Sequence, residues 1–150
     1  AASPDEVRAA LAAAAPADEP HDVSDLPGPT GESNRLSRFP RLPVLCLGPG
    51  RATAEKQVRA VEAAGGRALA APDLPAEALA DLPPFGAAVF WGEADAARPY
   101  ARALARREGP IRPLLTGLPR PGEVLVERHL CIDTTASGGN AELLAQVSGL

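Results

Sequence analysis

The sequence predicts an α/β domain built on a small parallel sheet, and three observations carry that expectation. Short, continuous apolar runs recur along the middle of the chain: "VLCLG" from Val44, "RALAAP" ending at Pro72, "AAVFWG" from Ala87 and "IRPLLTG" from Ile111. Runs of this length without polar alternation suit strands buried on both faces. Between them lie segments with apolar residues at helical spacing, and Gly or Pro punctuates most of the junctions. Strand alternating with helix at this cadence implies parallel strands joined by right-handed crossovers, with the order 2-1-3-4 expected.

The chain opens with a helix start. Ser3 can cap, Pro4 suits the first helical position, and Glu6 stands where a capping box places its carboxylate. The Ala-rich stretch that follows to Ala15 offers only Val7 and Leu11 as an apolar face. Such a helix is marginal alone, so it is expected to lean on another part of a longer polypeptide. From Pro16 to Pro43 the composition turns to Pro, Gly, Ser, Asp and Glu with neither period, which reads as a linker or strap. Within it "LPGPTGE", Leu26 to Glu32, can be neither helix nor central strand.

After the first strand, "ATAEKQVRAVEAAGG" places Ala54, Val58 and Val61 on one helical face before Gly65 and Gly66 stop it. "PAEALADL" is a short helix with Leu79 and Leu82 inward. In "EADAARPYARALARREG", Tyr100, Ala103 and Leu104 face the sheet, Arg98, Arg102 and Arg106 share the solvated side, and Pro99 requires the helix to begin several residues earlier. "EVLVERHLCIDTT" then alternates with period two, with Val124, Val126, Leu130 and Ile132 on one face and Glu127, His129, Cys131 and Asp133 on the other. It reads as a half-buried strand, different in kind from the preceding sheet. The organisation expected is therefore an N-terminal helix and linker (1–43), an open α/β domain of Rossmann-like type (44–122), and a terminal β segment (123–150).

Composition narrows the function. At 150 residues one core is expected. A formal charge of -4 and a pI near 5.2 supply no basic field to collect phosphates, so no nucleic-acid partner is expected through this chain. No apolar run approaches the roughly 18 residues a membrane span needs. Cys46 and Cys131 lie in apolar, strand-like runs, lack metal-ligand spacing to each other or to His21 and His129, and read as buried thiols of a cytoplasmic protein. With no Met at position 1, the chain reads as a piece excised from something longer; Lys56 against an abundance of Arg fits a GC-rich genome.

Candidate sites are few. The turn Gly48-Pro49-Gly50-Arg51-Ala52-Thr53 begins like a dinucleotide fingerprint, but Thr53 stands where the third Gly belongs and Pro49 removes an amide. A plain tight turn is the competing reading. Asp73 either mimics a ribose-binding acid or caps the next turn. Trp91-Gly92-Glu93 closes the third strand at the edge where such sheets bind ligands, as stacking platform or packing residue. His129 and Cys131 point the same way without a third orienting group, and Cys46 sits in a core strand, so no catalytic, cofactor or metal residues are assigned. Glu55 and Arg59 read as a surface pair. In "TTASGGNAELL" the small residues and Gly-Gly permit close approach to a foreign sheet edge, the alternative being a fraying terminus.

"LPGPTGESN" (Leu26 to Asn34), "VLCLG" (Val44 to Gly48), "AVFWGEAD" (Ala88 to Asp95) and above all "VERHLCIDTTASGGNAELL" (Val126 to Leu144) together resemble the C-terminal domain of the bacterial proline utilization A family. Those flavoenzymes join a proline dehydrogenase to an L-glutamate-γ-semialdehyde dehydrogenase. The resemblance implies an aldehyde dehydrogenase superfamily-like fold without working catalytic or cofactor residues, FAD and NAD being bound elsewhere in the parent. It implies a terminal flap formed by Thr134, Thr135, Ala136, Ser137, Gly138, Gly139, Asn140 and Ala141. That flap would cover the tunnel through which pyrroline-5-carboxylate passes, with the aldehyde dehydrogenase module of the same polypeptide as partner. Asp133 stands where Asn is expected before the Thr pair. Two other readings stay open: a nucleotide-binding module using the Gly48 turn, and an oligomerisation domain using the terminal strand, which when isolated could pair with a second copy.

Overall fold

The structure is a computed structural model that describes residues 1–133. Its elements in chain order are α1 (Pro4–Ala13), β1 (Asp22–Leu26), β2 (Glu32–Pro40), β3 (Val44–Cys46), α2 (Gly50–Ala63), β4 (Ala68–Ala70), a 3-10 helix (Ala76–Ala80), β5 (Ala88–Val89), α3 (Ala94–Ala105), β6 (Leu114–Leu115), α4 (Pro121–Val124) and β7 (Leu125–Asp133). They divide into two compact units, one of residues 1–19 and 40–126, the other of residues 20–39 and 127 onward.

The first unit is built on a four-stranded sheet of order β4-β3-β5-β6, parallel throughout. Leu45 sits opposite both Leu69 and Ala88, and Val89 opposite Leu115. Successive residues of a strand point to opposite faces, so the continuous run at β3 feeds two cores at once. Leu45 and Leu47 join Val7, Leu11, Leu79, Phe85 and Leu104 on one side. Val44 and Cys46 join Ala54, Val61, Val124 and Leu125 on the other.

The N-terminal helix does not lean elsewhere, contrary to the sequence expectation. Val7 and Leu11 are buried within this unit's own core. Ser3 Oγ accepts from the Glu6 amide at 3.5 Å, the Ala2 amide donates to the Pro72 carbonyl, and Arg8 donates to the Asp81 carbonyl at 3.0 Å. Two apolar residues suffice because hydrogen bonds before the helix, from its middle and, through Arg67 donating to the Ala15 carbonyl at 2.8 Å, beyond its end fix it in place.

Helix α2 ends as its Gly pair requires. Gly65 adopts φ +92°, and the amides of Gly65 and Gly66 reach back to the carbonyls of Glu62 and Val61. In α3, which begins at Ala94 as Pro99 demanded, Ala97, Ala103 and Leu104 are buried and Tyr100 is partly buried. The Tyr100 hydroxyl donates to the Leu74 carbonyl at 3.0 Å. Val124 leaves the expected β alternation. Pro121 and the Glu123 carboxylate, which accepts from the Arg120 amide, nucleate the short α4, and Val124 turns into the core from its end.

The second unit is a three-stranded sheet of order β1-β2-β7. The stretch expected as a linker therefore holds two antiparallel strands, paired from Asp22↔Arg38 to Leu26↔Asn34. Charge, not apolar alternation, aligns them. Arg38 Nε donates to Asp22 at 2.8 and 3.0 Å, and Arg35 meets Asp25 at 3.4 Å. "LPGPTGE" supplies the turn between the strands, with Gly31 at φ +86°. Strand β7 is not half-buried as expected: Leu130 is 55% and Ile132 49% exposed.

Candidate functional site

In an open α/β sheet, ligands bind beyond the carboxyl ends of the strands where the winding reverses. Here the reversal lies between β3, which leads outward to β4, and β5 on its other side. The segments leaving those strands are Gly48-Pro49-Gly50 and Trp91-Gly92.

The chain's own groups occupy that place. Gln57, on the inward face of α2 and fully buried, accepts from the Gly48 amide at 2.9 Å and donates Nε2 to the Gly48 carbonyl at 2.7 Å. The same carbonyl accepts the Trp91 amide at 2.9 Å, tying the two strand ends together. The Gly50 amide, at the mouth of α2, donates to Asp73 Oδ1 at 2.9 Å. Gly48 has φ +96°, and a Cβ there would lie 2.5 Å from the Gly50 nitrogen, so only Gly fits the turn.

A pyrophosphate needs free amides at this helix mouth. It would meet a carboxylate on the Gly50 amide, a tertiary amide nitrogen at Pro49 that has no hydrogen to donate, and a filled space at Gln57. An adjacent cavity of about 320 Å3 is lined in part by Ala1, Ala2, Glu6, Arg51, Glu55 and Asp73, again with more negative than positive charge. The residues present do not fit a dinucleotide. Asp73 takes neither expected role, since its carboxylate closes the mouth of α2 at the Gly50 amide instead of the turn that follows it. Trp91 takes the packing part, its ring against the second core and Nε1 donating to the Gly117 carbonyl at 2.9 Å. Among the described residues, Glu55 and Arg59 form no ion pair within 4 Å, in contrast to the expected surface pair.

The thiols differ from each other. Cys46 is buried, and desolvation, aided by the charge of Glu62, pushes its pKa up to about 12. Cys131 is exposed, not buried as expected, because β7 presents this face to solvent. Its Sγ donates to Glu32 Oε1 at 3.2 Å, and Glu32 also accepts from Asn34 Nδ2 at 2.9 Å. The hydrogen bond to Glu32, then desolvation, raises the Cys131 pKa; the bonds from Asn34 and Cys131 lower that of Glu32. Among the described residues no group of His, Cys, Asp and Glu could hold a metal ion. One thiol should therefore react with Ellman's reagent in the native chain and a second only on unfolding. Glu32→Gln should speed the first at pH 8, because thiolate is the reactive form. An unchanged rate would show that the Glu32 contact does not hold the proton.

The residues expected to form a flap, Thr134 through Ala141, lie outside the described residues. What sequence reading missed is Gln57 and the pairing of Glu32 with Cys131. Gln57 carried one signal, a polar side chain between Ala54 and Val61 on the buried helical face.

No family model matches the chain. It is 36% identical to the Bifunctional protein PutA of Salmonella typhimurium, an alignment covering 79% of this chain and 11% of that protein. It is 33% identical to the Bifunctional protein PutA of Escherichia coli over the same shares. A crystal structure of a Bradyrhizobium japonicum Proline Utilization A (PutA) mutant superposes with a TM-score of 0.51 at 28% identity, over 62% of this chain and 13% of that one. The chain thus spans about a tenth of the length of the relatives it matches. Among the described residues no helix is long and apolar enough to cross a membrane. In sequence and in fold alike, the chain belongs with the bifunctional PutA proteins, as the counterpart of a segment about a tenth of their length.

Proposed function

We propose that the chain is a non-catalytic C-terminal module of a cytoplasmic, bifunctional enzyme of proline catabolism, and that its terminal segment closes the passage between that enzyme's two active sites. The observation that supports this best is the filled crevice. An α/β sheet whose ligand-binding end is taken by Gln57, Asp73 and the Trp91 amide is suited to present surfaces, not to run chemistry. FAD and NAD would then belong to other modules of the parent. The reading assigns Thr134, Thr135, Ala136, Ser137, Gly138, Gly139, Asn140 and Ala141 to a flap laid on the aldehyde dehydrogenase module. Small side chains let backbone approach backbone there, and the cover keeps water out and a reactive aldehyde in.

The test is complementation. A parent truncated before Leu26, supplied with this chain in trans, should regain NADH production from pyrroline-5-carboxylate and lose the lag in the coupled reaction from proline. Gly139→Val should weaken that rescue about tenfold, equivalent to ~1.4 kcal/mol of docking free energy, with the melting temperature of the chain unchanged. No rescue by two well-folded proteins would end the proposal. One observation favours a second reading: Leu130 and Ile132 stand exposed on β7, an edge strand among the described residues. Should sedimentation show a tight dimer that Ile132→Asp dissolves while rescue fails, oligomerisation is the better account.

A further inference from the structure

The C-terminal end of α3 and the segment leading into β6 line a groove of about 360 Å3. Ala101, Leu104, Ala105 and Leu114 give it apolar walls, and Arg107 and Arg112 stand at its sides. Ile111, on the rim, is 93% exposed, the most exposed of the large hydrophobic side chains described. An apolar side chain held out this far contributes nothing to the core.

The charge around it is as lopsided. Arg107 is fixed, its guanidinium 4.5 Å above the Phe85 ring and donating to the carbonyls of Leu79 and Leu82. Those carbonyls hold the cation in place, and the charge of Asp81 offsets it only in part, against the burial and the Arg112 repulsion that prevail. Among the described residues no carboxylate lies within 4 Å of Arg102, Arg106, Arg107 or Arg112, although exposed Glu108 is close in sequence. Arg107 and Arg112 are near enough to repel, and that repulsion, after burial, lowers the Arg107 pKa. Cations at a helix C-terminus offset its dipole, which accounts for Arg102 and Arg106. It accounts for neither Arg112 nor Ile111, which come after the helix has ended.

We propose that this groove is a docking site for an acidic segment bearing one apolar side chain, supplied by another part of the same long polypeptide. The occupant's carboxylates would complete Arg107 and Arg112, and its apolar side chain would enter the groove beside Ile111. The inference rests on the reading of the chain as one module among several. The relatives place about nine tenths of their length outside the matched region, so a partner segment has a source. A concave groove with a single projecting apolar residue suits a peptide better than a lipid surface, which calls for a broad apolar helix face.

The experiment uses the full-length polypeptide carrying p-benzoylphenylalanine in place of Ile111. Irradiation followed by peptide mass spectrometry should find an adduct outside residues 1–150 of the same molecule, on a segment in which Asp or Glu flanks an apolar residue. Arg112→Glu should cut its yield at least about tenfold, and Arg112→Lys should largely preserve it. Adducts confined to residues 1–150 or to a second copy, an adduct on a segment without carboxylates, or a yield indifferent to Arg112→Glu would each overturn the proposal. So would Ile111-dependent sedimentation with phosphatidylcholine–phosphatidylserine vesicles. Rescue by this chain in trans is read separately. If rescue succeeds and the adduct is missing, the groove proposal falls alone; if rescue fails and the adduct forms, the flap falls alone.

Discussion

Phe85→Ala should cost the first unit about 3–5 kcal/mol, the largest stability loss expected of any single truncation here. Phe85 is fully buried and heads the largest buried side chains in volume. Removing its ring leaves a cavity in the core cluster shared with Leu45 and Leu47 of the β3 run, Leu79 of the 3-10 helix and Leu104 of α3, three elements that cannot all collapse into the space. Arg107 also loses the ring face on which its guanidinium rests. For a domain of this size the loss corresponds to a fall in melting temperature of about 6–20 °C. Phe85→Leu should cost less, because most of the volume remains. Urea unfolding followed at both fluorescence and far-UV ellipticity would measure the two. A loss below about 1 kcal/mol for Phe85→Ala would mean that the layer carrying α3 is not the one described.

Substitutions at Gln57 come second, and they test the closed crevice directly. Gln57→Leu keeps the shape but orphans the Gly48 amide, while the Gly48 carbonyl retains the Trp91 amide. The expected cost is about 1–3 kcal/mol. Gln57→Glu should be worse at neutral pH. A carboxylate could still accept from Gly48 but would face the Gly48 carbonyl with a lone pair where Nε2 now donates. Burial raises the pKa of such a Glu above its unfolded value, so the native state gains relative stability as the pH falls through that raised value, where the protonated acid can donate again. Gln57→Glu should therefore approach wild type between neutrality and pH 5, and Gln57→Leu should show no such recovery. A flat profile for Gln57→Glu would place Gln57 in water and the crevice open.

The parallel sheet was legible because its strands are buried on both faces and bounded by Gly. "VLCLG" and "AAVFWG" carry no other interpretation of comparable weight, and Gly65-Gly66 announces the end of α2 directly. The hairpin of β1 and β2 was not legible because its alignment is written in ion pairs between Asp22 and Arg38 and between Asp25 and Arg35, which leave no apolar period. Val124 was misplaced since a turn residue pattern at Pro121 and Glu123 overrode the two-residue alternation it seemed to join. The burial of Cys131 was misjudged for a related reason. Alternation shows which residues share a face, not whether anything covers that face. At the crevice, Pro49 and Thr53 already weakened the nucleotide reading, but Gln57, on the second turn of the helix that follows, shows only in three dimensions that its amide reaches back to Gly48.

The ionic hairpin has a consequence for alignment fidelity. Sliding β1 one position along β2 would set Asp22 against Ser37 and Asp25 against Asn34, parting both oppositely charged couples in a single step. Each couple is partly or largely in water, so the penalty that guards this alignment is electrostatic and fades as ionic strength rises. Concentrated salt should thus blur the pairing of these two strands while the parallel sheet, locked by aliphatic packing, keeps its order.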